Sequence, residues 1–265
     1  MKIFIFLFVA GLTACAQTIN PAASFNTIKW IDLTHSYDHS TLYWPNNSKG
    51  FEHTTEAAGK TASGYYYSSY SLCTPEHGGT HLDAPIHFAE KKLTIDQIPL
   101  SSLTGNAILI DVSKQALSNR DYQISIDDIK NWEKDNTTIP DDTIILFRTG
   151  YGQFYPNREK YFGTSKTGQA AIQELQFPGI SPETTEWLLK NRTIKAMGLD
   201  TPSLDYGQSK VFKTHQLLLG SNKPGFENLA HLDKLPLKGI YIIALPMKIA
   251  NGSGAPLRII ATLTH

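Results

Sequence analysis

The chain has 265 residues, of which 41% are hydrophobic and 18% are charged. This composition is typical of a globular domain and excludes a disordered or fibrous chain. The 24 basic residues balance the 24 acidic residues, so the formal net charge is zero. Because nucleic acids and anionic membranes are captured by dense basic faces, we expect neither as an electrostatic partner.

The first residues have the layout of an exported protein. The apolar run after Lys2 is too short to span a bilayer, and small residues follow it, as in a secretory signal peptide. The sequence Leu12-Thr13-Ala14-Cys15 resembles the bacterial lipobox, in which the cysteine is acylated. We therefore predict a lipoprotein signal peptide over 1–15, a tether over 16–26, and a periplasmic protein attached to the membrane only through a lipid on Cys15. The alternative is an ordinary signal peptide in which Cys15 has no role.

The remaining residues, 27–265, show no second shift in composition and predict a single domain. Helix start signals occur at Ser125 and at Ser181-Pro182, and a third short helix is predicted from about His215 to Gly220. Runs rich in β-branched and aromatic residues predict strands over 28–33, 64–73, 107–112, 143–148, 194–198, 239–245 and 257–263. Because strands outnumber helices and do not strictly alternate with them, we predict an α+β domain rather than a doubly wound sheet.

Three of the nine histidines lie close together in one segment, His77-Gly-Gly-Thr-His81-Leu-Asp83-Ala-Pro-Ile-His87. Its glycines and its proline exclude a regular helix, so the histidine spacing is not the helical pair of a zinc protease. In extended chain, His81 and Asp83 project to the same side. Imidazole and carboxylate together are the ligand set of catalytic zinc or manganese, so the segment predicts a catalytic metal site. The alternative is a set of hydrogen-bonded turn histidines that bind no metal.

This segment resembles the H-x-G-T-H-x-D-x-P-x-H-F signature of the cyclase family of metal-dependent hydrolases, which includes bacterial kynurenine formamidases and isatin hydrolases. The eight fixed positions match His77, Gly79, Thr80, His81, Asp83, Pro85, His87 and Phe88. The similarity continues through residues 198–205, which resemble the family's G-x-D-T-x-S-x-D stretch, and through a late His and Glu at His215 and Glu227. The resemblance implies a single domain with the swivelling β/β/α fold.

Carried over position by position, the resemblance implies one or two divalent ions per chain, with zinc as the first candidate and manganese as the alternative. The implied ligands are His77, His81, Asp83, His215 and Glu227. Asp83 and Glu227 would bridge from the first ion to the second, which His215 helps to hold. Without the resemblance, His215 would be interpreted as a helix-start residue and Glu227 as a solvated loop acid.

The resemblance also implies that His87 is the acid/base residue and that Trp44 lies against the substrate. The predicted reaction is hydrolysis of an amide bond by a metal-activated water, on a small aromatic amide. The first candidate is an arylformamidase reaction that converts N-formylkynurenine to kynurenine and formate. The chain has no G-x-S-x-G elbow, which excludes the serine-hydrolase route to the same product.

Two alternatives stay open. The first is opening of a cyclic amide or lactone, as by isatin hydrolase, and it is favoured by a stretch over 151–180 that is longer than in short formamidases. The second is a non-catalytic lipoprotein that binds a metal or a ligand, and such a protein would have no need of His87 beside its ligands. We also expect the chain to form a homodimer or a higher homo-oligomer.

Overall fold

The computed structural model describes residues 28–264, which contain twelve strands and six α-helices. The strands are β1 Trp30–Asp32, β2 Glu52–Lys60, β3 Tyr66–Cys73, β4 His81–Asp83, β5 Thr104–Asp111, β6 Gln123–Ile124, β7 Thr143–Arg148, β8 Gly179–Ile180, β9 Ile194–Leu199, β10 Gly225–Glu227, β11 Ile240–Pro246 and β12 Gly254–Leu263. The α-helices are α1 Leu100–Leu103, α2 Ser113–Ser118, α3 Ile126–Asp135, α4 Arg158–Phe162, α5 Pro182–Asn191 and α6 Lys213–Gly220. The predicted signal peptide, Cys15 and the tether lie outside the described residues.

Seven strands close into a barrel-like sheet in the order β4-β10-β9-β7-β5-β11-β12, and β12 pairs back onto β4. Strands β5, β7, β9 and β10 are mutually parallel, whereas the other pairings in this sheet are antiparallel. The long strand β12 closes the barrel because residues 254–256 pair with β4 and residues 257–263 pair with β11. Short β1 extends the sheet along β12. This mixed topology in one domain confirms the predicted α+β class.

The central parallel strands are buried on both faces, as their continuous apolar sequences require. On β7, Ile144 and Leu146 point into the core inside the barrel, whereas Ile145 and Phe147 point into a second core outside it. Helices α3, α5 and α6 contribute apolar side chains to the outer core, among them Trp132 of α3. Because successive strand residues face opposite sides, one six-residue strand connects both cores.

The helix start signals are confirmed. Ser125 caps α3 in a reciprocal pair with Asp128, in which each side chain accepts a hydrogen bond from the other residue's backbone N–H. Ser181 caps α5 by accepting from the N–H of Thr184, with Pro182 in the first helical position. Helix α6 begins two residues before the predicted start.

Strands β2 and β3 form a separate two-stranded antiparallel sheet outside the barrel, which we name the arm (residues 52–73). Most residues of both strands are exposed to solvent. Neither strand packs extensively against another helix or strand of the described chain. Within the described residues, no helix is both long and apolar enough to cross a bilayer.

Candidate metal centre and active site

The centre of the candidate site is built on two three-residue strands. Strands β4 and β10 pair so that His81 lies opposite Glu227. On β4, His81 and Asp83 project to the same side of the strand, whereas Leu82 between them is packed in the barrel core. On the other edge of β4, Gly254 of β12 lies opposite Asp83. A Cβ atom at position 254 would lie 2.5 Å from the ring of His77, so glycine is required there for close approach.

The structure brings all five predicted ligands together. His77 Nδ1 lies 2.7 Å from Asp83 Oδ1, and His81 Nε2 lies 3.2 Å from the same oxygen. His81 Nε2 is also 3.4 Å from Glu227 Oε2. His215, at the start of α6, points its Nε2 at Glu227 Oε1 and at Asp83 Oδ2, at 3.1 and 3.2 Å. Asp83 therefore faces all three imidazole rings, and Glu227 faces two of them, those of His81 and His215.

The remaining nitrogen of each ring is tied to an acceptor outside the centre. His81 Nδ1 lies 3.0 Å from the carbonyl oxygen of Gly79, and His215 Nδ1 lies 2.7 Å from Asp205. His77 Nε2 lies 2.9 Å from the hydroxyl of Ser253, which donates its own proton to Glu76. The hydroxyl has only one proton, so it must accept from His77 Nε2. In the neutral ring of His77, the inner nitrogen Nδ1 therefore has a lone pair, and this lone pair faces the Asp83 carboxylate.

This arrangement demands positive charge at the centre. Burial and then the charge of Asp83 raise the pKa of Glu227. Burial works to lower the pKa of His81, but Asp83 and Glu227 outweigh it and raise that pKa to about 9. The pKa of His215 is likewise raised well above its ordinary value, because hydrogen bonds to Asp205, Asp83 and Glu227 overcome burial. The two carboxylates thus favour positive charge on the rings of His81 and His215.

The donor atoms fit a divalent cation. Two groups, each with ligand atoms within 4.8 Å of one another, share one aspartate: His77, Asp83 and His87, and His81, Asp83 and Glu227. Asp83 Oδ2 is buried and has no hydrogen-bond partner, although His215 Nε2 lies 3.2 Å from it. Imidazole nitrogens whose outer N–H groups are already held, facing carboxylate oxygens, are the arrangement that zinc and manganese prefer.

His87 lies at the edge of this centre, at the end of a 3-10 turn over Pro85–His87. Its ring stacks on that of His77 with 3.7 Å between ring centroids. Burial chiefly lowers the pKa of His87, to about 4, so the ring is neutral at pH 7. Its position is compatible with the predicted acid/base role and also with that of a further ligand.

A cavity of about 270 Å³ opens beside the carboxylates and is lined by Trp44 and by every predicted ligand. Its apolar wall consists of Leu42, Tyr43, Trp44, Phe88, Phe162 and Phe212. Trp44 meets Phe212 edge to face, with ring centroids 6.0 Å apart. The wall provides flat apolar surface directly beside charged groups, which suits a small aromatic molecule with one polar end.

Sequence reasoning missed several residues of the site. Phe162 lies in the long 151–180 stretch, and Phe212 precedes α6; neither position carries a local signal, since an isolated Phe is usually a core residue. Glu76 and Ser253 are 177 residues apart, so no spacing connects them. Asp205, the last residue of the 198–205 stretch, caps the start of α6 by accepting from the N–H groups of Thr214 and His215, and it also holds His215 Nδ1. Asp200 only organises the loop after β7, by accepting from residues 149, 150 and 152.

Comparison with known proteins agrees with the motif. The model of the Cyclase family matches residues 31–206. An isatin hydrolase of Roseibium aggregatum is 30% identical over 208 residues, which cover 76% of each chain. A kynurenine formamidase of Salinibacter ruber is 29% identical over 228 residues, which cover 86% of this chain and 94% of the relative.

Solved structures agree as well. The crystal structure of an isatin hydrolase bound to the product analogue thioisatinate matches with a TM-score of 0.82 at 26% identity, covering 92% of this chain and 96% of that chain. The fold therefore agrees with the family to which the sequence motif points. Since the family model spans more than half of the chain, this protein belongs to the Cyclase family.

Proposed function

We propose that this protein is a metal-dependent hydrolase of a non-peptide C–N bond in a small aromatic amide. The observation that carries the proposal is the set of three imidazoles that turn their free nitrogens toward two buried carboxylates at the base of an aromatic cavity. Relatives named isatin hydrolase and kynurenine formamidase support the same class of reaction.

The residues that would hold the metal are His77, His81, Asp83, His215 and Glu227. A divalent ion held by such ligands supplies Lewis-acid polarisation of a carbonyl and lowers the pKa of water to about 7. The protein's own contribution is to keep the ligands in place from outside, through Asp205, Ser253 and the Gly79 carbonyl. Zinc is the first candidate and manganese the alternative.

We assign proton transfer to His87. Its ring is neutral at pH 7, because burial lowers its pKa to about 4, so it can take a proton from the attacking water. The protonated ring can then deliver that proton to the leaving nitrogen. Its contact with the ring of His77 keeps it beside the reacting atoms. A protein that only bound a metal would not require this residue.

For the substrate, we propose an aryl formamide such as N-formylkynurenine, whose ring would lie against Trp44. The second candidate is isatin or a similar cyclic amide. It is favoured by Phe162, which comes from the long 151–180 stretch and forms part of the cavity wall. Both substrates share an aromatic ring and a scissile C–N bond, so the same cavity and the same proton transfer serve either.

We further propose that the chain is an exported lipoprotein anchored through Cys15, which would place the amide hydrolase in the periplasm. The motif at residues 12–15 supports this proposal, and the short apolar run before it does too. We also propose a homo-oligomer, for which the arm described above supplies the surface.

The first test compares substrates. Metal-stripped protein reloaded with zinc or with manganese should hydrolyse N-formylkynurenine, followed by the absorbance of kynurenine, and the stripped protein should not. Parallel assays on isatin measure ring opening. Higher kcat/KM for isatin would make the cyclic amide the substrate. Binding of either ion without turnover of either amide would contradict the proposal and indicate a binding protein.

A second prediction separates ligand from proton carrier. Asp83→Asn keeps the volume of a buried side chain but removes the charge shared by both ligand groups, so most bound metal should be lost. His87→Ala should retain metal and lose roughly 10²–10⁴-fold in kcat, the usual contribution of a positioned acid or base. Metal analysis and turnover are measured on both variants. Retained metal in Asp83→Asn, or metal loss in His87→Ala, would contradict these assignments.

A third prediction concerns the ligand that is distant in sequence. Glu227→Gln keeps an acceptor for the N–H of Leu204, which Glu227 Oε1 now holds at 2.7 Å, but removes the negative charge facing His81. Metal affinity measured by calorimetry should fall by more than the roughly 10–100-fold that loss of an outer partner costs. Thermal stability in excess metal should change little.

The matched control for Glu227→Gln is His231, which lies outside the cavity and has a positive φ of 55°. We choose His231→Asn because asparagine tolerates this left-handed conformation. The control should bind metal like the unaltered protein. Equal losses in both variants would show that Glu227 is not a ligand.

A fourth prediction tests the anchor. Cys15→Ser in the full chain removes the thiol that would be acylated, so the protein should move from the membrane fraction to the soluble periplasmic fraction and keep its specific activity. Fractionation followed by immunoblotting measures this. A variant that stays in the membrane fraction as the unaltered chain does would make the lipobox interpretation wrong.

A further inference from the structure

Two buried polar residues of the cavity wall, Ser203 and Asn228, are not among the predicted metal ligands. Ser203 is 3% exposed and Asn228 is 2% exposed, and both line the cavity. The carbonyl of Ser203 accepts from the hydroxyl of Thr201, but within the described residues the hydroxyl of Ser203 makes no hydrogen bond. A buried polar group without a partner costs free energy. Such a group at a cavity wall therefore indicates where a ligand can make the missing hydrogen bond.

The side chain of Asn228 reaches the cavity because the backbone leaves the regular strand there. In β10, Phe226 packs in the barrel core and Glu227 faces the metal centre, so regular alternation would return residue 228 to the core side. Asn228 instead has a φ of 54°, a left-handed conformation that asparagine tolerates. The hydroxyl of Tyr161 donates to Asn228 Oδ1 at 2.9 Å, the shorter of its two contacts. In the described chain the amide nitrogen Nδ2 has no partner, so it remains for a ligand, and it can only donate.

Backbone hydrogen bonds hold the two residues on either side of Glu227. The N–H of Leu204 donates to Glu227 Oε1 at 2.7 Å, which places Ser203, the preceding residue, next to this carboxylate. The N–H of Asn228, the residue after Glu227, donates to the carbonyl of Thr201 at 2.9 Å. The backbone that presents both side chains is therefore fixed before a ligand binds, which lowers the entropic cost of binding.

The charges of the cavity decide which ligand atom this pair can bind. Asn228 Nδ2 is a donor and a serine hydroxyl can donate as well, so each can bind an acceptor oxygen. Asp83 and Glu227 line the same cavity, whereas no lysine or arginine of residues 28–264 does. Two carboxylates without a basic side chain disfavour a ligand carboxylate. The acceptor is therefore the oxygen of a neutral carbonyl.

We propose, on the basis of the function proposed above, that Ser203 and Asn228 bind a second carbonyl oxygen of the substrate, distinct from the scissile carbonyl. The scissile carbonyl belongs at the metal ligands and the aromatic ring against Trp44, which leaves the Glu227 side of the cavity for the second carbonyl. In both N-formylkynurenine and isatin, a ketone is attached to the ring carbon next to the one that bears the nitrogen. The substrate class is therefore an ortho-acyl anilide, and the pair selects it against anilides that lack the acyl oxygen.

The test uses two formamides that differ only in the second carbonyl. N-(2-acetylphenyl)formamide carries the ketone, whereas N-(2-isopropylphenyl)formamide has a methyl group of similar size in place of its oxygen. Because the acetyl group also activates the leaving nitrogen, the informative quantity is the ratio of the two kcat/KM values. This ratio is compared between each variant and the unaltered chain, all loaded with metal.

Ser203→Ala removes a single oxygen atom, and Asn228→Gly removes the amide while glycine keeps the left-handed conformation. Each variant should lower kcat/KM for the ketone substrate roughly 3–10-fold, the effect of one neutral hydrogen bond, and that for the isopropyl substrate less than about twofold. The matched control is Tyr43→Phe, which removes a hydroxyl that Thr74 already holds at 2.6 Å from another cavity-lining residue. It should leave the ratio unchanged.

A binding measurement separates this inference from the proposed function. The corresponding product amines are 2-aminoacetophenone and 2-isopropylaniline, and their dissociation constants are measured by NMR titration of the metal-free protein. Ser203→Ala and Asn228→Gly should weaken binding of 2-aminoacetophenone alone, again roughly 3–10-fold. Equal losses for both members of a pair would overturn the inference, as would the same change of ratio in Tyr43→Phe. If the unaltered chain hydrolyses neither formamide, the proposed function fails, and the binding comparison alone decides whether the pair recognises a carbonyl.

Discussion

The structure depends on one electrostatic constraint, which is the burial of the Asp83 and Glu227 carboxylates beside each other. Two buried like charges are tolerated only when positive charge and hydrogen bonds compensate them. Here His81 and His215, whose pKa values are raised by these carboxylates, can carry the positive charge, or the three imidazoles can share a divalent cation with the carboxylates. The cluster is surrounded by the short strands β4 and β10, by the start of α6 and by the first residues of β12.

The outer hydrogen bonds of the three histidine rings orient the cluster for binding a cation. An imidazole whose outer N–H is already held offers its inner nitrogen in one fixed direction, so a cation meets ligands that need no reorganisation. The three outer acceptors are a backbone carbonyl, a serine hydroxyl and a carboxylate. They differ in chemistry, but each fixes an N–H on the outer nitrogen of its ring, which is Nδ1 in His81 and His215 and Nε2 in His77. The aromatic wall next to them lines one side of the cluster with apolar surface, and a low local dielectric strengthens each of these interactions.

The sequence predicted the structure best where the signal lies within a few neighbouring residues. The glycines and the proline between His77 and His87 excluded a helix, and the spacing of His81 and Asp83 predicted their common side. Strand β7 coincides with its predicted range, because five of its six residues are fully buried. By contrast, β4 and β10 have three residues each, too few for any periodicity to appear.

The features that the sequence alone did not predict all depend on tertiary contacts. Strand β2, with the sequence Glu-His-Thr-Thr-Glu-Ala-Ala-Gly-Lys, has a composition that favours helix, and its pairing with β3 overrides that preference. His215 and Glu227 gained a role only through the family resemblance, because nothing local distinguishes them. Ser253 and Glu76 could not be associated with His77 before the barrel was seen to close.

Closure by the last strand has a consequence for how the protein is made. The ring of His77 is held by Ser253, 176 residues later in the chain, and Asp83 lies opposite Gly254. Ribosomes add roughly 5–20 residues per second, so β4 is synthesised roughly ten to thirty seconds before β12, the strand that pairs with it last. During that interval the cluster lacks Ser253 and Gly254, and a chain that ended before them could not form the contacts that hold His77. Assembly of the cluster is therefore a late step in folding, which follows synthesis of residues 253 and 254.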